Sequence, residues 1–339
     1  MLYILYMTSF VSPKITVSEA AHDIGGGYTQ QDTGFRLVVH SSSGHSATIA
    51  AVFDGHGGQR GAIMSEMAKS VFLREIKHQG WLDQFLETPE TTGQSLFAKA
   101  SEESLSMAED ILKSNSISYE LKNGCLSTDY PKAIEGGTTA TLVIVIDDGT
   151  LHCFNVGDSE AWLCNAQGRV QLHGHHAPDS KDEYERIMAV STNSSLVYDY
   201  NAICGQPRRS DGDHVFPKRE DFSGYYYKNV RKEYATLFCT NGFRLAMTRS
   251  IGDEPMRSGG LCSIPSYKHI RVTDTSIVQI ASDGFWDNIT VDDIVMPQGP
   301  LDANALNTRW FKETEHKART NFGSSRDNMW GYTIVICRE

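Results

Sequence analysis

Three apolar runs in this chain each deliver an aspartate at their end. Val52-Phe53-Asp54-Gly55-His56-Gly57-Gly58 carries one run to Asp54 and then into glycines, and Ser276-Ile277-Val278-Gln279-Ile280-Ala281-Ser282-Asp283-Gly284 repeats the arrangement. Asn155-Val156-Gly157-Asp158-Ser159 gives it again, and Asp327 stands just ahead of a last apolar run. A single Asp-Gly step is an ordinary turn. Carboxylates at the ends of several core strands repel one another unless a cation lies between them, and donors that are all oxygen select Mg²⁺, Mn²⁺ or Ca²⁺ over zinc. Glycine after such an aspartate lets backbone carbonyls approach a ligand without obstruction by side chains. No D-x-D-x-D loop with Gly at its sixth and an acid at its twelfth position is present, which excludes an EF-hand.

Apolar, β-branched segments predict strands over Arg36–His40, Ala47–Phe53, Thr139–Ile146, Leu151–Val156, Ser276–Ala281 and Tyr332–Cys337. Asp147-Asp148-Gly149 lies between two of them as a hairpin signal, so part of the sheet is antiparallel. Helical spacing marks Gly61–Lys77, where Ile63, Met67, Val71 and Ile76 recur, and also Ser95–Ser114 and Ala303–Ala318. Strands come in runs and do not alternate with helices, so the expected class is α+β: two stacked, mainly antiparallel sheets flanked by helices, an α-β-β-α sandwich. The stretch from Pro178 to Tyr234, with Tyr225-Tyr226-Tyr227 and the basic residues Arg208, Arg209, Lys218, Arg219, Arg231 and Lys232, is too long for a plain connection and reads as an inserted flap lobe. The expected organisation is an N-terminal extension or edge strand over residues 1–19 and a single domain over 20–339, with 178–234 inserted.

The chain carries 31 Lys and Arg against 42 Asp and Glu, a net charge of −11 that repels a phosphate backbone and argues against nucleic-acid binding. An acidic protein that handles phosphorylated substrates needs a local source of positive charge, which bound divalent cations supply. Seven cysteines without a C-x-x-C pair signal neither a disulfide framework nor a zinc site, and a reducing, intracellular compartment fits best. Met1–Val11 is apolar but lacks a basic flank and is too short to span a bilayer, so it reads as an edge strand or loose terminus and no membrane partner is expected.

Asp54-Gly55-His56-Gly57-Gly58, Gly136-Gly137-Thr138-Thr139-Ala140, Val156-Gly157-Asp158-Ser159, Leu245-Ala246-Met247-Thr248-Arg249-Ser250-Ile251-Gly252-Asp253, Ala281-Ser282-Asp283-Gly284-Phe285-Trp286-Asp287 and Arg326-Asp327-Asn328 stand in the order seen in type 2C, metal-dependent serine/threonine protein phosphatases. The chain resembles that family from about Gly25 to Cys337, and each motif alone is weak where the ordered set is specific. The resemblance implies that Asp54 bridges a pair of Mg²⁺ or Mn²⁺ ions, that the Gly55 carbonyl binds one of them, and that Asp283 and Asp327 complete the shell of the other. It places Asp32, of the pair Gln31-Asp32, near metal-bound water, and Asp158 with Asp283 at a weaker third metal. His56 matches the proposed general acid; its plainer reading is a solvated loop histidine. Arg249 and Asp253 read as a structural pair below the site, and the Gly-Thr-Thr-Ala segment as small residues that allow sheet packing. The implied activity is hydrolysis of phosphoserine and phosphothreonine in proteins by a metal-activated water, in a monomer whose partners are phosphoprotein substrates.

The pattern departs from the family in three places. No Arg or Lys occurs between Lys14 and Arg36, where the family carries a phosphate-gripping cation; the stretch reads Gly25-Gly26-Gly27-Tyr28-Thr29-Gln30. Either glycine amides form an anion-binding nest, or another basic residue reaches in, or phosphate is held weakly. Trp330-Gly331-Tyr332 follows Asp327-Asn328-Met329 as extra residues, which a bulge would absorb or which would shift Asp327 out of reach. His175-His176-Ala177-Pro178 replaces a more usual Asp-His-x-Pro. These departures keep a second class open, a weak or inactive phosphatase-like scaffold that binds phosphoproteins. Against it stands the retention of Asp32, Asp54, Asp158, Asp283 and Asp327, mutually repelling groups for which a site freed from catalysis has no use. A phosphodiesterase or nuclease would need a basic groove, and the net charge disfavours it.

Overall fold

The apolar runs pair edge to edge into two antiparallel sheets. In this computed structural model, which describes residues 12–27, 29–178, 180–190 and 243–338 with the short strands Val197–Tyr198, Arg209–Ser210 and Phe238–Thr240, one sheet has six strands and the other five. The larger runs in the order Lys14–Val17, Met329–Cys337, Ser276–Ala281, Glu160–Asn165, Gly168–Gln171, with Ala21–Asp23 also paired to Met329–Cys337. The smaller runs Ser266–Arg271, Thr150–Val156, Ala140–Ile146, Ser46–Phe53, Thr33–His40. Most of the stretch expected to be inserted, including the tyrosine triplet and Arg208, Lys218, Arg219, Arg231 and Lys232, and all of Met1–Val11 lie outside the described residues.

The sheets stack face to face, with Ala50, Val52, Val143 and Val145 of one against Val278, Ile280, Ile334 and Ile336 of the other. The smaller sheet turns its opposite face, through Ile49, Ala51, Leu142 and Ile144, to the helices α1 (Gln59–Ile76), α2 (Trp81–Glu87) and α3 (Pro89–Ser114). Helix α4 (Lys181–Val190) lies near the start of the stretch expected to be inserted, while α5 (Asp283–Trp286) and α6 (Ala303–Phe322) cover the outer face of the larger sheet. The layers are thus α-β-β-α. Burial on both faces explains why the central strands read as unbroken apolar runs without alternation, and each such side chain contributes about 1.5–3 kcal/mol.

Some local expectations shift. Helix α1 buries Met64, Met67, Val71 and Ile76, leaving Ile63 outside at 53% exposure. Helix α3 starts at Pro89, ahead of the predicted Ser95, because the ring's fixed φ suits a first turn. Gly93 is tolerated inside it because a Cβ there would meet the Phe154 ring at 2.1 Å. The last strand begins at Met329 and runs unbroken, pairing Gly331 with Ala281 and Tyr332 with Ile280, so Trp330-Gly331-Tyr332 belong to the strand and no bulge is needed.

Strand register fixes where the chemistry lies. Thr33 pairs with Phe53, Val52 with Thr141 and Val156 with Ala140, which brings Asp32, Asp54 and Asp158 to one end of the smaller sheet. Ala281 pairs with Gly331, which sets Asp283 and Asp327 together just beyond the same edge of the larger sheet.

Candidate active site

The carboxylates from these strand ends converge. Asp54, Asp158 and Asp283 each present an oxygen within 4.8 Å of the others, the one such trio among the described residues. Asp32 and Asp327 lie outside that trio but near enough for their charges to act on Asp54. Burial pushes the Asp54 carboxyl well above the usual carboxylate range, and Asp32, Asp283, Asp327 and Asp158 push it further. Asp32 is raised in the same way, by burial first and then by Asp327 and Asp283, although the Ser282 hydroxyl, donating at 2.7 Å, works against the rise. An oxygen-only donor set whose members destabilise one another fits a hard divalent cation, which would replace repulsion with attraction.

The scaffold around Asp54 is built from small residues. Its N–H donates to Thr139 Oγ1 at 3.1 Å, and its carbonyl accepts from Thr139 N at 2.8 Å and Thr138 Oγ1 at 3.0 Å. Thr139 Oγ1 also meets Ser159 Oγ at 2.7 Å, tying Asp54 to the loop that carries Asp158. The Gly-Thr-Thr-Ala segment therefore positions both acids through its hydroxyls as well as allowing close packing. Gly55 must be glycine, since a Cβ would lie 2.2 Å from the Gly61 carbonyl oxygen.

His56 has a partner that the sequence did not reveal. Gly55–His56, Gly137–Thr138 and Ile251–Gly252 form a small sheet with Gly137 between His56 and Gly252. Across that bare glycine, His56 Nε2 donates to Asp253 Oδ2 at 2.7 Å, while Ser250 Oγ donates to the same oxygen at 2.6 Å. A Cβ on Gly137 would fall 2.1 Å from Asp253 Oδ2. Burial alone would lower the His56 pKa, but the charge and hydrogen bond of Asp253, with Asp158 and Asp283 beyond, raise it. The net shift favours the protonated ring, and Nδ1 is buried without a hydrogen-bond partner among the described residues. The only sequence signal for Asp253 was its place in the Ile251-Gly252-Asp253 run.

The Protein phosphatase 2C family model matches residues 31–296. The chain belongs to the protein phosphatase 2C family. It is 26% identical over 303 residues to probable protein phosphatase 2C 59 of Oryza sativa subsp. japonica, covering 88% of this chain and 69% of the relative. It is 24% identical over 282 residues to protein phosphatase 1L of Bos taurus, covering 81% of this chain and 61% of that relative. In fold it is similar to serine-threonine phosphatase 2C from Toxoplasma gondii, with TM-score 0.59, 21% identity and coverage of 97% and 96% of the two chains. The catalytic domain of the serine threonine protein phosphatase PstP, solved with 2 manganese ions, aligns with TM-score 0.53 and 12% identity over 96% of this chain and 99% of that one.

Within this protein phosphatase 2C scaffold, several expectations need correction. Arg249 does not pair with Asp253: its Nε and Nη2 donate to Glu183 Oε1 at 3.0 and 2.5 Å, rooting α4. The Gly26 amide is not open to an anion, since Gly26 N donates to the Arg326 carbonyl at 2.9 Å. These glycines allow a close approach instead, since Cβ atoms would fall 2.3 Å from Asp327 O at Gly25 and 1.9 Å from Ser324 O at Gly26. Their absence of side chains seats the segment that carries Asp327. His176 acquires a role: its ring, buried and held neutral at a pKa of about 3 by burial and by Arg249, donates from Nδ1 to the Gly157 carbonyl beside Asp158 at 3.2 Å. Beside His56 a cleft of about 160 Å³ opens, and its rim includes Phe243, Leu245 and Arg244, the one Arg or Lys among its lining residues.

Proposed function

We propose that this chain is a metal-dependent protein serine/threonine phosphatase whose site holds Mg²⁺ or Mn²⁺. The observation that carries the reading is the convergence of Asp54, Asp158 and Asp283 oxygens within 4.8 Å beside the His56 ring held by Asp253. Asp54, Asp283 and Asp158, with the Gly55 carbonyl and with Asp327 and Asp32 behind them, are the residues that would hold two ions and a weaker third. Such ions, when bound, supply Lewis-acid charge neutralisation and a water whose pKa is lowered toward neutrality.

The rest of the work falls to the chain itself. Asp253 orients the His56 ring through Nε2 and favours its protonated form, in which Nδ1 carries the proton to be given. His56 gives it to the departing serine or threonine oxygen, an alkoxide too basic to leave unprotonated. Arg244, on the wall of the same cleft, takes the place of the missing upstream cation and grips the phosphoryl oxygens of the substrate. The substrates are phosphoproteins, the setting is intracellular, and residues 20–339 act as one domain. No helix among the described residues is long and apolar enough to cross a membrane.

The decisive test is phosphopeptide hydrolysis in parallel with Mn²⁺, with Mg²⁺ and with EDTA. Metal-stimulated turnover that disappears in EDTA and in Asp54→Asn supports the reading. Turnover that survives either change sinks it, and a chain that binds phosphopeptide without ever releasing phosphate is the scaffold.

A further inference from the structure

Away from the carboxylate cluster, a cavity of about 280 Å³ opens between α1 and α3. Its walls are apolar: Ile63 and Met64 from α1, Met107 and Ile111 from α3, and Ile134. At one end stands an acid. Ser104 Oγ donates to Glu254 Oε1 at 3.0 Å, and Oε2 has no hydrogen bond among the described residues. Glu254 is only 3% exposed, and burial raises its carboxyl above the ordinary range even though Arg257 works in the opposite direction. Arg257 makes no ion pair with it: Nη2 donates to the Ser250 carbonyl at 3.1 Å, Nε is buried without a partner among the described residues, and Arg257 and Glu254 both line a neighbouring cavity. Arg60 and Glu135, of opposite sign, also line the cavity.

An acid facing an apolar space with one oxygen unmatched asks for a donor that brings its own apolar body. We propose that this cavity is a binding site for a small organic cation, an apolar molecule carrying a primary ammonium group that donates to Glu254 Oε2. The volume lies just below the usual range of about 300–1,000 Å³ for ligand pockets, which suits a fragment of one ring and a short chain. Two methionines in the wall let it adapt to such a body, because their unbranched thioethers repack readily. An ammonium on a buried carboxylate forms a charge-assisted hydrogen bond, the strong kind. The site is set apart from the phosphatase reaction but touches its framework, since Glu254 follows Asp253 directly and Gly136 lines both this cavity and the cleft at His56.

The test is calorimetric titration of the full chain with 4-phenylbutylamine, 4-phenylbutan-1-ol and 4-phenylbutyrate, in saturating Mn²⁺ so that the carboxylate cluster offers the amine no second seat. The amine is expected to bind one to one and about 10- to 100-fold more tightly than the alcohol, the margin of a charged over a neutral hydrogen bond, with the acid weakest. Glu254→Gln, which keeps an oxygen for Ser104, brings the amine down to the alcohol. Ile63→Trp, at an exposed rim position that folding does not need, blocks all three. Equal binding of amine and acid overturns the proposal. So does an amine affinity unchanged in Glu254→Gln or Ile63→Trp, or an amine that does not bind. If Glu254→Gln fails to fold, the ligand series on the unmodified chain and Ile63→Trp decide the matter.

Discussion

Replacing Asp253 by Asn isolates the charge that holds His56. The two side chains meet at 2.7 Å, Asp253 is 4% exposed, and Ser250 Oγ donates to the same oxygen at 2.6 Å. Asn keeps the shape and an oxygen that accepts the imidazole N–H, so only the negative charge is lost. A hydrogen bond to a charged group contributes about 1.5–3 kcal/mol against about 0.5–1.5 for a neutral one, a difference near 1–2 kcal/mol. At about 1.4 kcal/mol per factor of ten, the protonated fraction of His56 falls roughly 5- to 30-fold where it is the minor form. The expected result is a loss of that size in kcat on a phosphothreonine peptide at a pH high enough for the protonated ring to be the minor form, and a smaller loss below it. On p-nitrophenyl phosphate, whose leaving group needs no proton, kcat stays within about 2-fold. Steady-state kinetics at saturating Mn²⁺ on both substrates, with His56→Ala and the double variant alongside, measure this. Once His56 is gone, Asp253→Asn is expected to cost nothing further. Equal losses on the two substrates, or a full loss that persists in the His56→Ala background, would refute the reasoning.

Burial alone would raise Glu183, but hydrogen bonds from Arg249, Arg186 and Thr248 hold its pKa down at about 2 against an ordinary 4.5. That stability is complete above pH 4.5 and is lost as pH falls toward 2, about 3 kcal/mol in all; urea unfolding at pH 7 and pH 4 shows a smaller difference in Glu183→Gln. Gly26→Ala puts a Cβ 1.9 Å from the Ser324 carbonyl oxygen. It is expected to cost about 1–3 kcal/mol in a melting curve and to raise the Mn²⁺ needed for half-activation, whereas a change confined to phosphate inhibition would favour an anion nest. Arg244→Ala is expected to raise the phosphopeptide KM about 10-fold with kcat nearly unchanged, the mark of lost uniform binding; an unaltered KM removes Arg244 from the substrate. Asp54→Asn removes a buried acid whose raised pKa opposes folding at neutral pH, so in EDTA the variant is expected to melt above the unmodified chain and in Mn²⁺ below it.

The strands legible in the sequence are those buried on both faces. Ala140–Ile146 and Ser276–Ala281 announce themselves because nothing polar interrupts them. Ser266–Arg271, at the edge of its sheet, shows the polar pattern SYKHIR and was not predicted, nor was the short pair Glu160–Asn165 and Gly168–Gln171. Ser266–Arg271 and Gly168–Gln171 are edge strands, which bury too little to leave a continuous apolar signature, whereas Glu160–Asn165 lies inside its sheet but its apolar run, Ala161 to Cys164, is short and bounded by polar residues. The acidic residues were legible for a related reason: a strand-end aspartate is a local feature, and antiparallel pairing then brings many strand ends to one side without further instruction. Pairings between loops carry no such local mark. Arg249 and Asp253 are four residues apart and of opposite charge, yet Arg249 turns to Glu183 and Asp253 to His56, which is 197 positions away.

What decides those pairings is the backbone. Gly252 and Asp253 both have positive φ, +89° and +52°, and Asp253 is one of a few non-glycine residues in the left-handed region. Such a conformation costs a residue with a Cβ about 1–2 kcal/mol, and it persists because the surroundings fix it: Asp253 N donates to the Gly136 carbonyl, and its carboxylate accepts hydrogen bonds from His56 and Ser250. The left-handed step sends the neighbouring acids apart, Asp253 to the imidazole and Glu254 to Ser104 on α3. Glycine would adopt this geometry without strain but would hold nothing. The strained side chain at this position gives His56 a charged partner that glycine could not, and on the proposed mechanism Asp253 is a positioning residue for the general acid and not part of the core beneath it.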